Sequence, residues 1–294
     1  MLRLLSIHGQ IREFAEGLSR EQVDNLQKIS HAIEEAQRWK DRLNLLAEKL
    51  IVGKTPWLTV IFKEPIDQVY PTPTFPETYL VIASDGSQIV PDRHESLPFY
   101  LINIGCAVLP YGLQEKPELT SQPHFFFKPE DLYWQWAGRE VPINWELVSL
   151  RRQLMEWEAL CEIAAQRTHP PSLALVDGTL ILWNLEGKPP DIRQGLLARF
   201  FKVLDSFQQW GVPIAGYISS PASKEIINTL RVAVCPYDRP DCDGCQWLLR
   251  QETPPCAVLE RLKDADLFFR LLKPGQRSVV FDSRYPIMSD YGPH

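Results

Sequence analysis

Apolar positions recur at helical spacing in two long stretches of the sequence. The first covers residues 18–50 and the second covers residues 145–167, and in each the apolar side chains three and four positions apart share one helical face. Pro170 and Pro171 end the second predicted helix. Shorter helices are predicted over about 191–210 and over 222–231.

Short runs of apolar residues predict strands elsewhere in the chain. Residues 110–145 are irregular, aromatic and proline-bearing, and they predict an insertion or a long loop with one short strand. Several strands followed by alternating helices and strands predict an α/β protein with one mixed sheet, antiparallel at first and then parallel and covered by helices. The predicted strands are 57–62, 79–84, 99–109, 173–176 and 213–219.

The composition is ordinary for a globular protein. Hydrophobic residues make up 45% of the 294 positions and charged residues 23%. The formal net charge of −6 does not indicate a basic nucleic-acid surface, although net charge says little about a single cleft. Prolines and glycines interrupt the uncharged stretch 96–114, so it predicts a buried strand rather than a membrane span. Because no secretory signal is evident at the start, we expect a cytoplasmic protein without a membrane segment.

Two similar motifs each follow a predicted strand. Asp85-Gly86-Ser87 comes after residues 79–84, and Asp177-Gly178-Thr179 comes after residues 173–176. Two carboxylates at the ends of strands from one sheet can hold a hard divalent cation, which is the minimum apparatus of metal-dependent phosphodiester hydrolysis. The alternative is a simple turn, because Asp and Gly are both common turn residues. The repetition of the motif in one context favours the cation site.

The helix predicted between the two motifs carries several acids. One of them, projecting toward the sheet, would complete a site of three carboxylates. The alternative is an ordinary solvated helix face. Arg152 and Glu156 lie four positions apart and therefore share a face on which they can pair. The acids are Glu146, Glu156, Glu158 and Glu162.

Four cysteines lie close together in a segment that is otherwise typical of a loop. Their spacing is C-x6-C-x2-C-x10-C over residues 235–256. Four thiolates can bind Zn²⁺ or an iron–sulfur cluster, and disulfides are uncommon inside cells. The alternative is a set of free thiols, or a disulfide formed after purification. The cysteines are Cys235, Cys242, Cys245 and Cys256.

Several segments, taken in order, resemble the NurA nuclease family. The resemblance covers roughly residues 20–294 and rests on YLVIASDGS at 79–87, LRRQLMEWEAL at 150–160, LALVDGTL at 173–180, IAGYIS at 214–219 and RSVVFDSR at 277–284. It implies a ribonuclease H-like mixed sheet flanked by helices. An N-terminal helical segment, 1–55, would precede a nuclease domain, 56–294, with insertions near 110–145 and 235–256.

The resemblance also implies a catalytic site that cleaves DNA with Mn²⁺ or Mg²⁺. Arg151 and Arg152 are candidate contacts for the DNA backbone. The family's metal-binding positions match Asp85, Asp177 and Glu156 (with Glu158 as the alternative for the helix glutamate), and its strand tyrosine matches Tyr217.

The biological role implied by the resemblance is DNA end processing and double-strand break repair by a homodimer beside a HerA-type translocase. Family chains continue past the segment that matches 291–294 to a histidine near the metals, so we expect either a protein shortened at its C-terminus or a sequence that lacks its last segment. We do not assign that role to His294. A catalytically silent scaffold that binds the translocase or DNA is therefore the alternative function.

Overall fold

The computed structural model describes residues 7–90, 98–136, 138–167 and 171–291. Short 3₁₀ helices lie at Trp183–Leu185, Pro255–Leu259 and Pro286–Asp290. The other elements, in chain order, are α1 (His8–Trp39), α2 (Leu43–Val52), β1 (Val60–Phe62), β2 (Val69–Pro71), β3 (Tyr79–Ile89), β4 (Tyr100–Tyr111), β5 (Glu118–Phe126), α3 (Pro129–Leu132), β6 (Tyr133–Trp136), β7 (Arg139–Pro142), α4 (Trp145–Ala165), β8 (Ser172–Asp177), α5 (Pro190–Trp210), β9 (Ile214–Tyr217), α6 (Glu225–Val234), α7 (Gln246–Leu249), α8 (Asp264–Leu271), β10 (Gln276–Ser278) and β11 (Phe281–Ser283).

The described residues divide into two compact units. One unit consists of the residues up to Pro73 and those from Ser220 onward, and the other is Thr74–Ser219. The predicted domain bounds, an N-terminal helical segment 1–55 and a nuclease domain 56–294, stay a prediction.

The unit Thr74–Ser219 is built on a five-stranded sheet in the order β5-β4-β3-β8-β9. β3, β4 and β5 pair antiparallel, whereas β8 pairs parallel to β3 and β9 parallel to β8. A parallel return needs a long crossover, and α4 lies in the crossover from β5 to β8. This order and these directions are those of a ribonuclease H-like sheet, so the predicted fold class is confirmed.

Helix α4 covers one face of this sheet. Tyr100, Ile102 and Ile104 of β4 form a buried cluster with Val148 of α4. The Ser84 hydroxyl of β3 donates a hydrogen bond of 2.8 Å to the carbonyl oxygen of Glu156. These contacts fix the part of α4 that bears Glu156 beside the strand that bears Asp85.

The other unit has a helical core and two short ribbons. Residues of α1, α2, α6 and α8 share one buried apolar cluster, and the ribbons pair β1 with β11 and β2 with β10. The helix predicted over 18–50 is two helices here, because α1 ends at Trp39 and α2 begins at Leu43. The strand predicted over 57–62 is confirmed only at its end, where β1 lies outside the five-stranded sheet.

The prediction of one short strand within 110–145 is wrong. The structure has the nine-residue strand β5 and the β6–β7 hairpin in this region. β5 is an edge strand whose residues are mostly exposed, so its sequence lacks the alternation of apolar and polar positions that marks a half-buried strand. It also contains Pro123, which edge strands tolerate.

No helix within the described part of the chain has both the length and the apolar character needed to cross a membrane. The described part of the uncharged stretch 96–114 contains β4, whose residues are buried or half-buried except at its end. The interpretation of this stretch as a strand is therefore confirmed.

We expect Asn144→Ala to destabilise the protein by about 1 kcal/mol. Asn144 is the N-cap residue of α4, and its Oδ1 accepts a hydrogen bond of 3.0 Å from the backbone N–H of Leu147. Asn144→Ser keeps an acceptor and serves as the control. Urea unfolding measures the free energy of unfolding, and an Asn144→Ala midpoint equal to that of the unchanged protein would contradict this role.

Candidate metal centre

Two aspartates stand side by side where two parallel strands stop pairing. The register of β3 with β8 runs as far as Ser84 opposite Val176, and the next residues are Asp85 and Asp177. Because both strands run in the same direction, the two aspartates follow the last pair at the same level of the sheet. Both line one cleft together with Tyr217 of β9, which is paired with Asp177.

The two Asp-Gly motifs differ in backbone conformation. Asp85-Gly86-Ser87 continues within β3 and stays paired with β4, so the alternative of a simple turn is wrong for the first motif. The second motif does turn, because Gly178 has φ +96°, in the left-handed region that favours glycine. The N–H of Gly178 donates a bond of 2.8 Å to the carbonyl oxygen of Tyr217, which holds this turn against β9.

Glu156 approaches the same point from α4. Its side chain is buried, and the residue is 6% exposed. A Cβ added to Gly86 would lie 2.5 Å from the Oε1 atom of Glu156. The glycine after Asp85 therefore serves a close approach within a strand, since any larger residue would collide with this carboxylate.

Burial raises the pKa of Glu156 to about 7. The guanidinium of Arg152 opposes this shift and the nearby Asp85 carboxylate adds to it, while hydrogen bonds from Arg152 and the Gly86 backbone oppose it. The influence of Asp85 indicates that the two carboxylates interact. The structure thus brings Asp85, Asp177 and Tyr217 to one cleft, and it places Glu156 near Asp85 but not among the residues that line the cleft.

The other predicted residues make contacts of a different kind. Glu158 accepts hydrogen bonds from Arg199 of α5, of which the shortest is 2.7 Å, so the geometry favours Glu156 over Glu158. Arg151 lies 4.0 Å from the centre of the Phe126 ring and hydrogen-bonds to the Tyr100 hydroxyl. Contact of Arg151 with DNA stays a prediction. His294 lies outside the described residues.

Arg152 makes its contacts within the candidate centre. It donates to Glu156 and, at 2.9 Å, to the carbonyl oxygen of Gly86. Its Nε donates to Oε1 of Gln88 at 3.0 Å. Contact of Arg152 with DNA also stays a prediction.

Sequence reasoning missed the polar partners of this centre. Ser84 and Gln88 lie on the α4 face of β3, where the preceding positions Leu80 and Ile82 are buried and apolar. Polar residues that interrupt the apolar face of a strand are the signal that would have identified them.

The carboxylate oxygens of the candidate centre are the type of ligand that a hard divalent cation such as Mg²⁺ or Mn²⁺ prefers. Asp85 and Asp177 offer such oxygens to one cleft, whereas the Glu156 carboxylate is bonded to Arg152. Within the ranges the structure describes, no three His, Cys, Asp or Glu side chains are arranged so that they could hold a metal ion.

The predicted zinc or iron–sulfur site is not supported by the structure. The cysteines of residues 235–256 are free, half-buried thiols. Like the other His, Cys, Asp and Glu residues that the structure describes, they are not arranged as a group that could hold a metal ion. They do lie near one another, since burial and then the neighbouring thiols raise the pKa of Cys242 to about 11. Backbone hydrogen bonds hold this loop. The N–H of Cys242 donates to the carbonyl oxygen of Lys54 at 2.9 Å, and the N–H of Lys54 donates to the carbonyl oxygen of Pro240 at 2.7 Å.

The sequence matches the model of the NurA domain over residues 79–293. The chain belongs to the NurA family. No curated protein shows a significant sequence match.

Solved structures similar to the chain include other NurA proteins. The NurA nuclease from Sulfolobus solfataricus is 11% identical, with 79% of this chain and 67% of that chain covered and a TM-score of 0.40. A NurA bound to dAMP and manganese is 13% identical, with 90% and 58% covered and a TM-score of 0.27. A type 1 RNase H, LC9-RNase H1, is 10% identical, with 53% and 71% covered and a TM-score of 0.27.

We expect the free energy of unfolding of the unchanged protein, minus that of Glu156→Gln, to fall as the pH rises from about 4.5 to about 7. The Glu156 pKa is about 7 in the folded protein, against an ordinary 4.5. Between these values the unfolded chain has lost a proton that the folded chain keeps, so raising the pH favours unfolding, by about 3 kcal/mol in total.

Urea unfolding at pH 5, 6, 7 and 8, in the presence of a chelator, measures this difference. Glu158→Gln, which removes a carboxylate two positions away on the same helix, is the control for the loss of an acidic side chain. A stability difference between the unchanged protein and Glu156→Gln that stays constant over this range would contradict the raised pKa.

Proposed function

We propose that this NurA-family chain is a divalent-metal-dependent nuclease that cleaves DNA. The observation that carries the proposal is the end of the β3–β8 pairing, which leaves Asp85 and Asp177 beside each other in an accessible cleft. Membership of the NurA family supports nuclease chemistry. The dAMP and manganese bound in another NurA suggest the nucleotide and the metal to try first.

In this proposal Asp85, Asp177 and Glu156 hold Mn²⁺ or Mg²⁺. A bound cation of this kind lowers the pKa of water and offsets charge on a phosphate. To bind the cation, Glu156 must use a carboxylate oxygen that does not accept a hydrogen bond from Arg152. Tyr217 is 64% exposed beside Asp177, so its hydroxyl can reach a substrate in the cleft and orient a phosphate or sugar oxygen there.

We also propose the wider role that the family suggests. The protein would act as a cytoplasmic homodimer beside a HerA-type translocase, in DNA end processing and double-strand break repair. Family membership is the support for this role. The chain spans 67% and 58% of the two NurA structures described above, so this role is a proposal for the whole protein.

A second candidate function is a catalytically silent scaffold that binds the translocase or DNA. The pairing of Glu156 with Arg152 favours it, as does the absence of a ready group of three metal ligands among the described residues. The two functions differ in whether the chain cleaves DNA at all.

We expect Asp85→Asn and Asp177→Asn each to reduce Mn²⁺-dependent cleavage of labelled DNA by about 10³-fold or more. Each change removes a negatively charged oxygen but keeps the size of the side chain, so the thermal unfolding midpoint should stay within a few degrees. Labelled single- and double-stranded DNA, incubated with Mn²⁺ with and without a HerA-type translocase, provides the measurement. Glu158→Gln is the matched control and should cleave like the unchanged protein.

Two results would count against the proposal. Undiminished cleavage by a purified double variant, Asp85→Asn with Asp177→Asn, would place the chemistry elsewhere. An unchanged protein that binds DNA or the translocase but cleaves nothing in Mn²⁺ would favour the scaffold.

A further inference from the structure

We propose that Arg152 is the positioning residue of the candidate metal centre: it fixes the Glu156 carboxylate relative to Asp85 and so sets the affinity of the centre for a divalent cation. This inference rests on the proposed function. Arg152 is itself a cation and acts only through Glu156.

Glu156 needs a partner because it is buried. Its side chain is 9% exposed, and an ionised carboxylate at such a position is strongly disfavoured unless it is paired and hydrogen-bonded. Arg152, one helical turn earlier on α4, supplies both the charge and the hydrogen bond. Without Arg152, the Glu156 side chain would lose the contact that orients it.

Arg152 is in turn fixed to β3. Its Nη1 donates to the carbonyl oxygen of Gly86 at 2.9 Å, and its Nε donates to Oε1 of Gln88 at 3.0 Å. The amide nitrogen of Gln88 donates to the Ser149 hydroxyl on α4 at 2.9 Å, which closes a network between strand and helix. The guanidinium is therefore held by the residue that directly follows Asp85.

Arg152 and Glu156 both lie close to the backbone at Gly86. A Cβ at Gly86 would lie 2.8 Å from Cγ of Arg152 and 2.5 Å from Oε1 of Glu156. The stem of Arg152 and the carboxylate of Glu156 thus both lie against the bare backbone of β3. Their position relative to Asp85 is set by van der Waals contact as well as by hydrogen bonds.

The geometry requires arginine rather than any cation. Arg152 uses separate nitrogens of its planar group, one toward Gln88 and one toward Gly86 and Glu156. A lysine has one ammonium at the end of a flexible stem and cannot span the same acceptors at once. The ion pair between Arg199 of α5 and Glu158 of α4 is more exposed and provides a comparison.

The test is the dissociation constant for Mn²⁺, measured on the metal-free full chain by the EPR signal of free Mn²⁺. We expect Arg152→Ala to raise this constant by roughly 10–100-fold, the usual effect of removing a group that orients a metal ligand. Arg152→Lys should restore part of the affinity, and Gln88→Ala should produce a smaller loss. Arg199→Ala, which breaks the comparison pair, should bind Mn²⁺ like the unchanged protein.

A double-mutant cycle separates positioning from a general structural effect. If Arg152 acts through Glu156, then Arg152→Ala should change the Mn²⁺ dissociation constant little in a Glu156→Gln background. An equal loss in both backgrounds would overturn the inference. So would tighter binding by Arg152→Ala, since that would make Arg152 a competitor of the cation.

The remaining outcomes are also decisive. Circular dichroism shows whether Arg152→Ala folds; if it does not, unchanged affinity in both Arg152→Lys and Gln88→Ala overturns the inference. An unchanged protein that binds no Mn²⁺ overturns the proposed metal centre and this inference with it. If the unchanged protein binds Mn²⁺ but cleaves no DNA, the proposed nuclease function fails, while the role of Arg152 is judged on the dissociation constants alone.

Discussion

Parallel pairing of β3 with β8 stops at Ser84 and Val176, and the next residue of each strand is an aspartate. In a parallel pair the two strands point the same way, so the residues that follow the last pair lie at the same level of the sheet, with Asp85 still paired to β4 and Asp177 to β9. The candidate centre depends on this register, because a shift by one residue would turn one aspartate to the opposite face.

The candidate centre combines several features that lower the stability of the folded protein. Glycine inside a strand reduces stability by about 0.5–1 kcal/mol, yet Gly86 lies within β3. Glu156 is an acid in a buried position where desolvation disfavours its charge. These features occur together around Asp85, where Arg152 offsets part of the cost. Functional sites are where such departures from stability are expected.

Much of the fold could be predicted from the sequence because the relevant segments have strong patterns. Helix α4 and strands β3, β4, β8 and β9 follow from helical spacing and from apolar runs, and their order predicts the mixed sheet. Strand β5 could not be predicted, because an exposed edge strand needs no buried face. The break between α1 and α2 was missed because the apolar stripe continues across it.

The site was predictable only in part. The Asp-Gly motifs indicated both aspartates, but whether each motif turns depends on pairing with β4 and β9, which a local pattern does not contain. Glu156 and Glu158 both lie on α4 and differ through the rotation of that helix on the sheet: Glu156 lies in line with Ser149, two turns earlier, whose hydroxyl bonds to Gln88 of β3. The cysteine spacing indicated proximity correctly, but proximity alone does not make a metal site.

We expect Asp85 and Asp177 to hold one divalent cation with Glu156 beside it. Anomalous scattering at the manganese edge, from crystals of the protein soaked in Mn²⁺, locates the cation directly. We expect an anomalous peak within coordination distance of both aspartate carboxylates, and we expect it to disappear in Asp85→Asn crystals. A peak at another site, or no peak between the two aspartates at saturating Mn²⁺, would contradict it.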